Sequence, residues 1–416
     1  MSFDELTLSE AGIDIIDGDR GVHYPKQNEF YSTEYCLFLN AKNVTKDGFD
    51  FKEKSFITRE KDALLRKGKL ARNDIVLTTR GTVGNVAFYN NSIPFDNVRI
   101  NSGMVILRAE KNEYLPEFVY WMFRSNYIQK QIEAIRTGSA QPQLPITIMR
   151  TLQVVKPKLC EQKSIAATLS CLDDMIELNN QINKTLEEMA QAIFKSWFVE
   201  FEPFKDGEFE ESKLGPIPKG WRVGTIGQYT KCILGGTPSR NKAEYWNGNI
   251  AWINSGKINE FRIISPSEFI TIEGLNNSAT KILPQKTTVL AITGATLGQV
   301  SLLEIDACAN QSVIGILEND VLPYGYIYPY IKEIINEIIS HQTGGAQQHI
   351  NKGNVESTCI IIPPLEVLNN YKAIVNPVYD MIRNNCFENK AVSAIRDTLL
   401  PKLMSGEIRV PVEKVV

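Results

Sequence analysis

The chain has 416 residues, 43% hydrophobic and 22% charged, with a formal net charge of −3 and an isoelectric point near 5.9. That length predicts two or three domains, and the mild acidity excludes a protein that coats nucleic acid by bulk positive charge, though not one that reads it through local patches. The acidic start Met1-Ser2-Phe3-Asp4-Glu5, the lack of a bilayer-length apolar run, and seven scattered cysteines with no Cys-x-x-Cys pair predict a cytoplasmic protein with reduced thiols and no membrane span, and three histidines leave little material for a metal centre.

In chain order, a basic stretch comes first. Lys52, Lys54, Arg59, Lys61, Arg66, Lys67, Lys69 and Arg72 face only Glu53, Glu60 and Asp62. Such an excess suits phosphate contact, and equally a solvated surface. The run Ile75-Val76-Leu77-Thr78-Thr79 reads as a strand with turn glycines behind it. A second apolar strand, Leu152 to Val155, ends before Pro157, where proline closes the ladder and hands over to a helix. That helix places Leu169, Leu172, Ile176, Asn179, Asn183, Leu186, Ala190, Ile193 and Trp197 in alternating steps of three and four, the pattern of a coiled-coil seam. The plainer reading is an amphipathic helix packed on its own domain. Glu200 to Glu211, then Gly215-Pro216-Ile217-Pro218-Lys219-Gly220, is acidic and rich in proline and glycine, and reads as an exposed linker.

The same order then returns. Val289-Leu290-Ala291-Ile292-Thr293 is a strand, Cys359 to Ile362 precede Pro363-Pro364, and a second helix runs through Leu368, Tyr371, Val375, Val378, Ile382, Asn385, Asn389 and Val392 before shifting phase to Ile395 and Leu399. Thr137-Gly138-Ser139-Ala140-Gln141 recurs as Thr343-Gly344-Gly345-Ala346-Gln347, an offset of 206 (343 − 137). The offset also carries Pro157 to Pro363, Asp174-Met175-Ile176 to Asp380-Met381-Ile382, and Asn179 and Asn183 to Asn385 and Asn389. Upstream, Thr79, Thr82, Gly84 and Val86 match Thr293, Thr296, Gly298 and Val300 at an offset of 214 (293 − 79). The chain is therefore written twice. The four asparagines occupy equivalent seam positions, where antiparallel helices would let them meet and fix register, or else they flank the seam in solvent.

Two β-rich units, each followed by a long helix of one design, resemble the specificity subunit of Type I restriction–modification enzymes. The resemblance is carried by Gly235-Gly236-Thr237-Pro238-Ser239-Arg240, Glu244-Tyr245-Trp246-Asn247-Gly248 and Ile253-Asn254-Ser255-Gly256. Two helical ends add to it, Ile193-Phe194-Lys195-Ser196-Trp197-Phe198-Val199 and Leu399 to Ile408. It covers nearly the whole length. It implies an α+β fold of two globular α/β target-recognition domains in tandem repeat, joined by two long antiparallel coiled-coil helices with pseudo-two-fold symmetry. The expected divisions are residues 1–158 and 222–364 for the recognition domains, 159–200 and 365–405 for the spacer helices, 201–221 for the linker and 406–416 for the tail. It further implies that each domain reads half of a split target in double-stranded DNA from the major groove. The helices would set the distance between halves, two methyltransferase subunits would attach, and restriction/translocase subunits would dock on that core. A helix of about forty residues at ~1.5 Å per residue spans roughly 60 Å, more than one DNA turn of ~34–36 Å. The competing reading is a tandem DNA-binding or structural coiled-coil protein without methyltransferase partners.

No catalysis and no cofactor are expected of the chain itself. Asn376-Pro377-Val378-Tyr379 has the outline of a base-gripping methyltransferase motif, but it lies in a heptad run and no glycine-rich cofactor loop precedes it. No Gly-x-x-x-x-Gly-Lys-Ser/Thr loop occurs. Gly81-Thr82-Val83-Gly84 has the spacing of an RNA-binding Gly-x-x-Gly loop. The second copy, with Ala295 and Gly298, keeps one of its glycines at that offset, so a hairpin turn bringing Arg80 and Thr82 to DNA fits better. Base edges are read by Arg or Lys on guanine and by Asn or Gln on adenine. The candidates are therefore Gln141 and Gln143 behind Gly138, and Gln347, Gln348 and His349 behind Gly344-Gly345. The alternative is that the shared glycine loop only closes the domain onto its helix. Arg240, Lys242, Tyr245 and Trp246 suit phosphate and sugar contact, unless the aromatics are core.

Overall fold

The computed structural model describes residues 3–110, 112–138, 141–340 and 349–411. The chain divides into two compact units, residues 1–176 with 391–416, and residues 177–390. The boundary falls inside both long helices.

In the first unit, a four-stranded antiparallel sheet has the order Ile13–Asp17, Met104–Ala109, Asp74–Thr78, Val86–Tyr89. All five residues of Asp74–Thr78 are buried, because the strand is covered on both faces. Ile75 and Leu77 pack against Phe118 and Met122 of the helix Pro116–Arg124, while Val76 turns the other way onto Leu39 and Val98 of a second sheet. That second sheet is Phe56–Ile57, Cys36–Leu39, Val98–Ile100, and its last pair is parallel.

The second unit repeats this plan. Its antiparallel sheet runs Cys232–Leu234, Val313–Ile316, Thr288–Ala291, Val300–Leu302. Leu290 faces Tyr326 and Ile327 of the helix Tyr324–Ser340, and Val289 faces Ile253 and Ala309 of the other sheet. Trp246–Ile253 again pairs in parallel with Ala307–Ala309. An outer pair recurs as well, Glu5–Thr7 with Gln153–Val155 and Arg222–Thr225 with Cys359–Ile362.

Backbone pairing corrects the register read from sequence. Leu77 pairs with Val86 as Leu290 pairs with Val300, so the strands correspond at an offset of 213 (290 − 77) before the turn and 214 (300 − 86) after it. Thr79 therefore corresponds to Ile292, not Thr293, and Gly81 to Gly294. Both turns begin and end on glycines of positive φ, Gly81 at 74° and Gly84 at 96°, Gly294 at 72° and Gly298 at 82°. The turn is therefore repeated with both its glycines, where the offset of 214 showed one, and the second copy carries one inserted residue.

The long helices are Leu159–Phe198, 40 residues, and Leu365–Ser405, 41 residues. Within the second unit they run antiparallel, since Asn179 meets Asn389 and Asn183 meets Asn385. There Phe194 and Phe198 pack with Tyr326 and Tyr371 in one core, so the helices bind each other and the globular body together. Within the first unit Ile165 and Leu169 share a core with Leu400 and Leu403. The expected phase shift at Ile395 does not occur. Ile395 is 51% exposed, and the inward position, four residues after Val392, belongs to Arg396, whose guanidinium pairs with Asp173.

The acidic stretch between the copies folds as a hairpin, Phe209–Ser212 with Gly215–Pro218. Phe201 and Phe204 anchor it with ring centroids 5.7 and 4.9 Å from Trp221. Among the described residues no helix is long and apolar enough to cross a membrane.

Candidate nucleic-acid interface

In the first unit the glycine turn and the later glycine loop meet. The Leu144 N–H donates to the Thr79 carbonyl at 2.9 Å, and a bridge joins Arg80 to Gln143. Gln143 is itself clamped to Thr137 by two backbone hydrogen bonds of 2.8 and 2.9 Å. Arg80 and Thr82 are exposed at the turn, as is Gln141 on the adjoining loop. Thr78 Oγ1 donates to the Thr82 carbonyl, which stiffens the turn from inside.

These loops border a cleft of about 310 Å³ lined by Asp17, Arg20, Arg80 and Gln143 among others. Arg20 was not singled out from sequence. Its Nη2 lies 3.1 Å from Asp17 Oδ1 and 3.3 Å from the Ser102 carbonyl. Asp19 beside it is buried and accepts from the N–H groups of Gly21 and Arg66, each at 2.7 Å. Burial pushes the Asp19 carboxyl up, but the backbone donors of Gly21, Arg66 and Lys67 outweigh it and hold the group below its usual range.

The basic stretch is partly engaged in the fold. Lys61 pairs with Glu29 at 2.8 Å, Lys69 with the buried Asp62 at 2.6 Å, and Arg72 with Asp96 at 2.7 Å. Lys54, Arg66 and Lys67 remain exposed, which leaves a smaller electropositive patch than the sequence suggests.

The second unit has the same joint. The Ile350 N–H donates to the Ile292 carbonyl at 3.0 Å, and Thr293 bridges His349, which is exposed. Gln347 and Gln348 lie outside the described residues. Arg240 and Lys242 are engaged with other groups. Arg240 grips Glu268 with both Nη atoms, at 2.6 and 2.8 Å, and its guanidinium lies 3.6 Å from the centre of the Trp246 ring. Their hydrogen bonds hold Glu268 below and Arg240 above the usual values. Lys242 Nζ donates to the Tyr245 hydroxyl at 2.8 Å, and Tyr245 is core. The fork of Arg240 is thus already committed to a carboxylate and an indole face.

On the seam, Asn179 Nδ2 donates to Asn389 Oδ1 at 2.9 Å and to Glu388 Oε2 at 3.0 Å, and Asn389 Nδ2 donates to Asn180 Oδ1 at 2.9 Å. Asn385 Nδ2 donates to Asn183 Oδ1 at 2.9 Å, while Asn183 Nδ2 points at Cys386 Sγ, 3.6 Å away.

Ion networks tie each body to the helices. In the first unit Asp173 takes Arg124 at 2.9 Å together with Arg396. In the second, Glu187 accepts from Arg262 at 2.6 Å, Lys332 at 2.7 Å and the Tyr328 hydroxyl at 2.9 Å. Behind Arg262 stands Glu304, 3.6 Å from it and 3.4 Å from Arg383. Burial pushes the Glu304 carboxyl up to about 7, with Arg262 and Arg383 opposing only in part. Sequence carried a faint sign of this network, since Tyr324, Tyr328 and Lys332 share a helix face at steps of four.

Tyr379, the aromatic of the methyltransferase-like string, is buried with its ring 5.6 Å from that of Tyr324. It cannot grip an extrahelical base.

Residues 14–188 and 218–390 each match the Type I restriction modification DNA specificity domain. The chain is 28% identical over 349 residues to the Type I restriction enzyme MjaIX specificity subunit of Methanocaldococcus jannaschii, covering 82% of this chain and 78% of that protein. It is 24% identical over 460 aligned positions to the HindI specificity subunit of Haemophilus influenzae, covering 94% and 98%. Its fold is similar to that of a crystallised S subunit from M. genitalium, with a TM-score of 0.58 at 15% identity, over 97% and 96% of the two chains. The chain belongs to the Type I restriction–modification specificity family, as a non-catalytic subunit that recognises the DNA target.

Proposed function

We propose that this chain reads a two-part DNA sequence and carries methyltransferase and restriction/translocase subunits to it. Residues 1–158 and 222–364 are the two reading modules, each addressing one half-site, and 159–200 and 365–405 are the spacer helices. The observation that carries this reading is the duplicated joint, in which the same strands and glycine turn present Arg80 and Gln143 in one copy and Thr293 and His349 in the other. One frame holding different side chains suits two half-sites of different sequence. Gln141 and Thr82 belong to the same loops, Gln347 and Gln348 precede His349 in sequence, and Arg240 and Lys242, which stay exposed while engaged with Glu268 and Tyr245, take a supporting place against the DNA backbone.

The test is copurification with methyltransferase subunits from its host, followed by methylome sequencing of that host. The expected result is a stable complex and a methylated motif in two blocks separated by a fixed unspecified spacer. A chain that copurifies with no methyltransferase, or a motif in one contiguous block, contradicts the proposal.

A further inference from the structure

The two joints can be aligned residue for residue through their strand pairing. Asp17 pairs with Val105, and Leu234 pairs with Ile314. Val105 and Ile314 hold the same place against Leu77 and Leu290. Asp17 therefore corresponds to Leu234, Gly18 to Gly235 and Arg20 to Thr237. The frame around them is kept. A Cβ on Gly18 would run into the Asn101 carbonyl, and one on Gly235 into the Asn310 carbonyl. Asn101 Oδ1 accepts from the Gly103 N–H at 2.8 Å, and Asn310 Oδ1 from the Ser312 N–H at 3.0 Å. What the frame displays is not kept. The first copy shows Asp17, Arg20, Arg80 and Gln143, where the second shows Leu234, Thr237, Thr293 and His349.

We infer that Asp17, Arg20 and Arg80 read a G·C pair in the first half-site, and that the equivalent uncharged positions of the second copy do not. The inference rests on the DNA-reading function proposed above. Arg20 uses one nitrogen, Nη2, on Asp17 and the Ser102 carbonyl, which aims the guanidinium and leaves its other donors for a ligand. Among the described residues the Arg80 guanidinium has no hydrogen-bond or ion-pair partner. An arginine fork matches guanine O6 and N7, and a carboxylate accepts from the cytosine amine. Asp17 is the discriminating group. Its carboxylate adds an acceptor beside the arginine donors, and a G·C pair offers acceptors and a donor side by side. In the second copy Thr237 Oγ1 is turned onto Gln311 Oε1 at 2.5 Å, and Leu234 is 40% exposed, so no charge stands at these positions.

The experiment uses the full chain in complex with its methyltransferase subunits and a DNA library randomised across the target. The variants are Arg20→Thr and Arg80→Thr, which carry the second copy's residues at the same places, and Asp17→Leu. The wild type is expected to require a G·C pair in one half-site. Each arginine variant should lose about tenfold or more of that preference while keeping full selectivity in the other half-site, which also shows that it has folded. Uniform weakening on all sequences with a reduced salt dependence makes the arginines phosphate contacts and overturns the inference. Unchanged selectivity in both arginine variants overturns it too, with the DNA-reading function intact. A wild-type complex with no sequence preference overturns the function itself.

Discussion

Asn183 accepts a 2.9 Å hydrogen bond from Asn385 through Oδ1, and each is the repeat partner of a residue in the neighbouring contact, Asn183 of Asn389 and Asn385 of Asn179. The offset of 206 takes Asn179 to Asn385 and Asn183 to Asn389, while the contacts are Asn179 with Asn389 and Asn183 with Asn385. Only antiparallel pairing about a local two-fold exchanges equivalent positions in this way. Buried amides that satisfy one another specify a register that an all-leucine seam leaves open.

Asn183→Leu removes the acceptor of Asn385 and leaves a partly buried amide short of a partner. It should lower unfolding stability by ~1–3 kcal/mol, read from urea denaturation. Replacing Asn179, Asn183, Asn385 and Asn389 together by leucine should be neutral or stabilising, with register less well defined. A quadruple variant no more stable than the single one contradicts the pairing argument.

Glu304 ties stability to pH. Its folded value of about 7 exceeds the ordinary 4.5 because burial disfavours the charge more than Arg262, Arg383 and Lys286 favour it, and Asp380 adds to the rise. A raised folded value means the folded state holds the proton longer. Its stabilising contribution is therefore full below about 4.5 and is lost as pH rises through about 7. Glu304→Gln should flatten that loss, so that wild type and variant diverge between pH 5 and pH 8 in thermal unfolding. Parallel curves would show that Glu304 stays ionised in the fold.

Arg262 is the cation on which Glu187, Tyr328 and Glu304 converge, and its side chain is fully buried. Arg262→Ala leaves two acidic groups without it and should cost about 3–5 kcal/mol. Arg262→Met, which fills the space but not the charge, should recover part of the packing and little of that loss.

Gly235→Ala forces a methyl group against the Asn310 carbonyl. The overpacking should cost roughly 1–3 kcal/mol and impair reading of the second half-site with the first unaffected. Gly18→Ala should do the reverse. Methylation of libraries varied in one half-site at a time separates the two, and equal damage to both halves by either variant contradicts independent frames.

If the helices set the distance between half-sites, one heptad inserted into both should lengthen the preferred DNA spacer without altering either half-site. Methylation of a library with fixed half-sites and a variable spacer reads this directly. An active variant with unchanged spacer preference removes the helices from that role.

Much of the architecture was legible because it is periodic and duplicated. The 3–4 spacing from Leu169 to Trp197 and the offset of 206 are arithmetic, and they carry the fold. Three features were not legible, each for a physical reason. The insertion in the glycine turn was invisible because Thr293 makes a chance match to Thr79 at the wrong offset, while Gly294 looks unrelated to Gly81 until backbone hydrogen bonds define the register. Arg396 was passed over for Ile395 because an apolar residue is the default choice for an inward position, whereas here Asp173 supplies a charged partner. Arg20 could not be placed because its cleft is assembled from strands far apart in sequence, joined through Ser102 and the Arg80 bridge.

The central claim is that two modules read two half-sites independently, and exchanging one of them tests it most directly. Residues 222–364 are replaced by the equivalent segment of a relative with a known target, and the hybrid is assembled with its methyltransferase subunits. Its methylated motif is then sequenced. The account predicts that one half-site changes to that of the donor while the other half-site stays as it was. A motif in which both halves change together, from a hybrid that still methylates DNA, would contradict it.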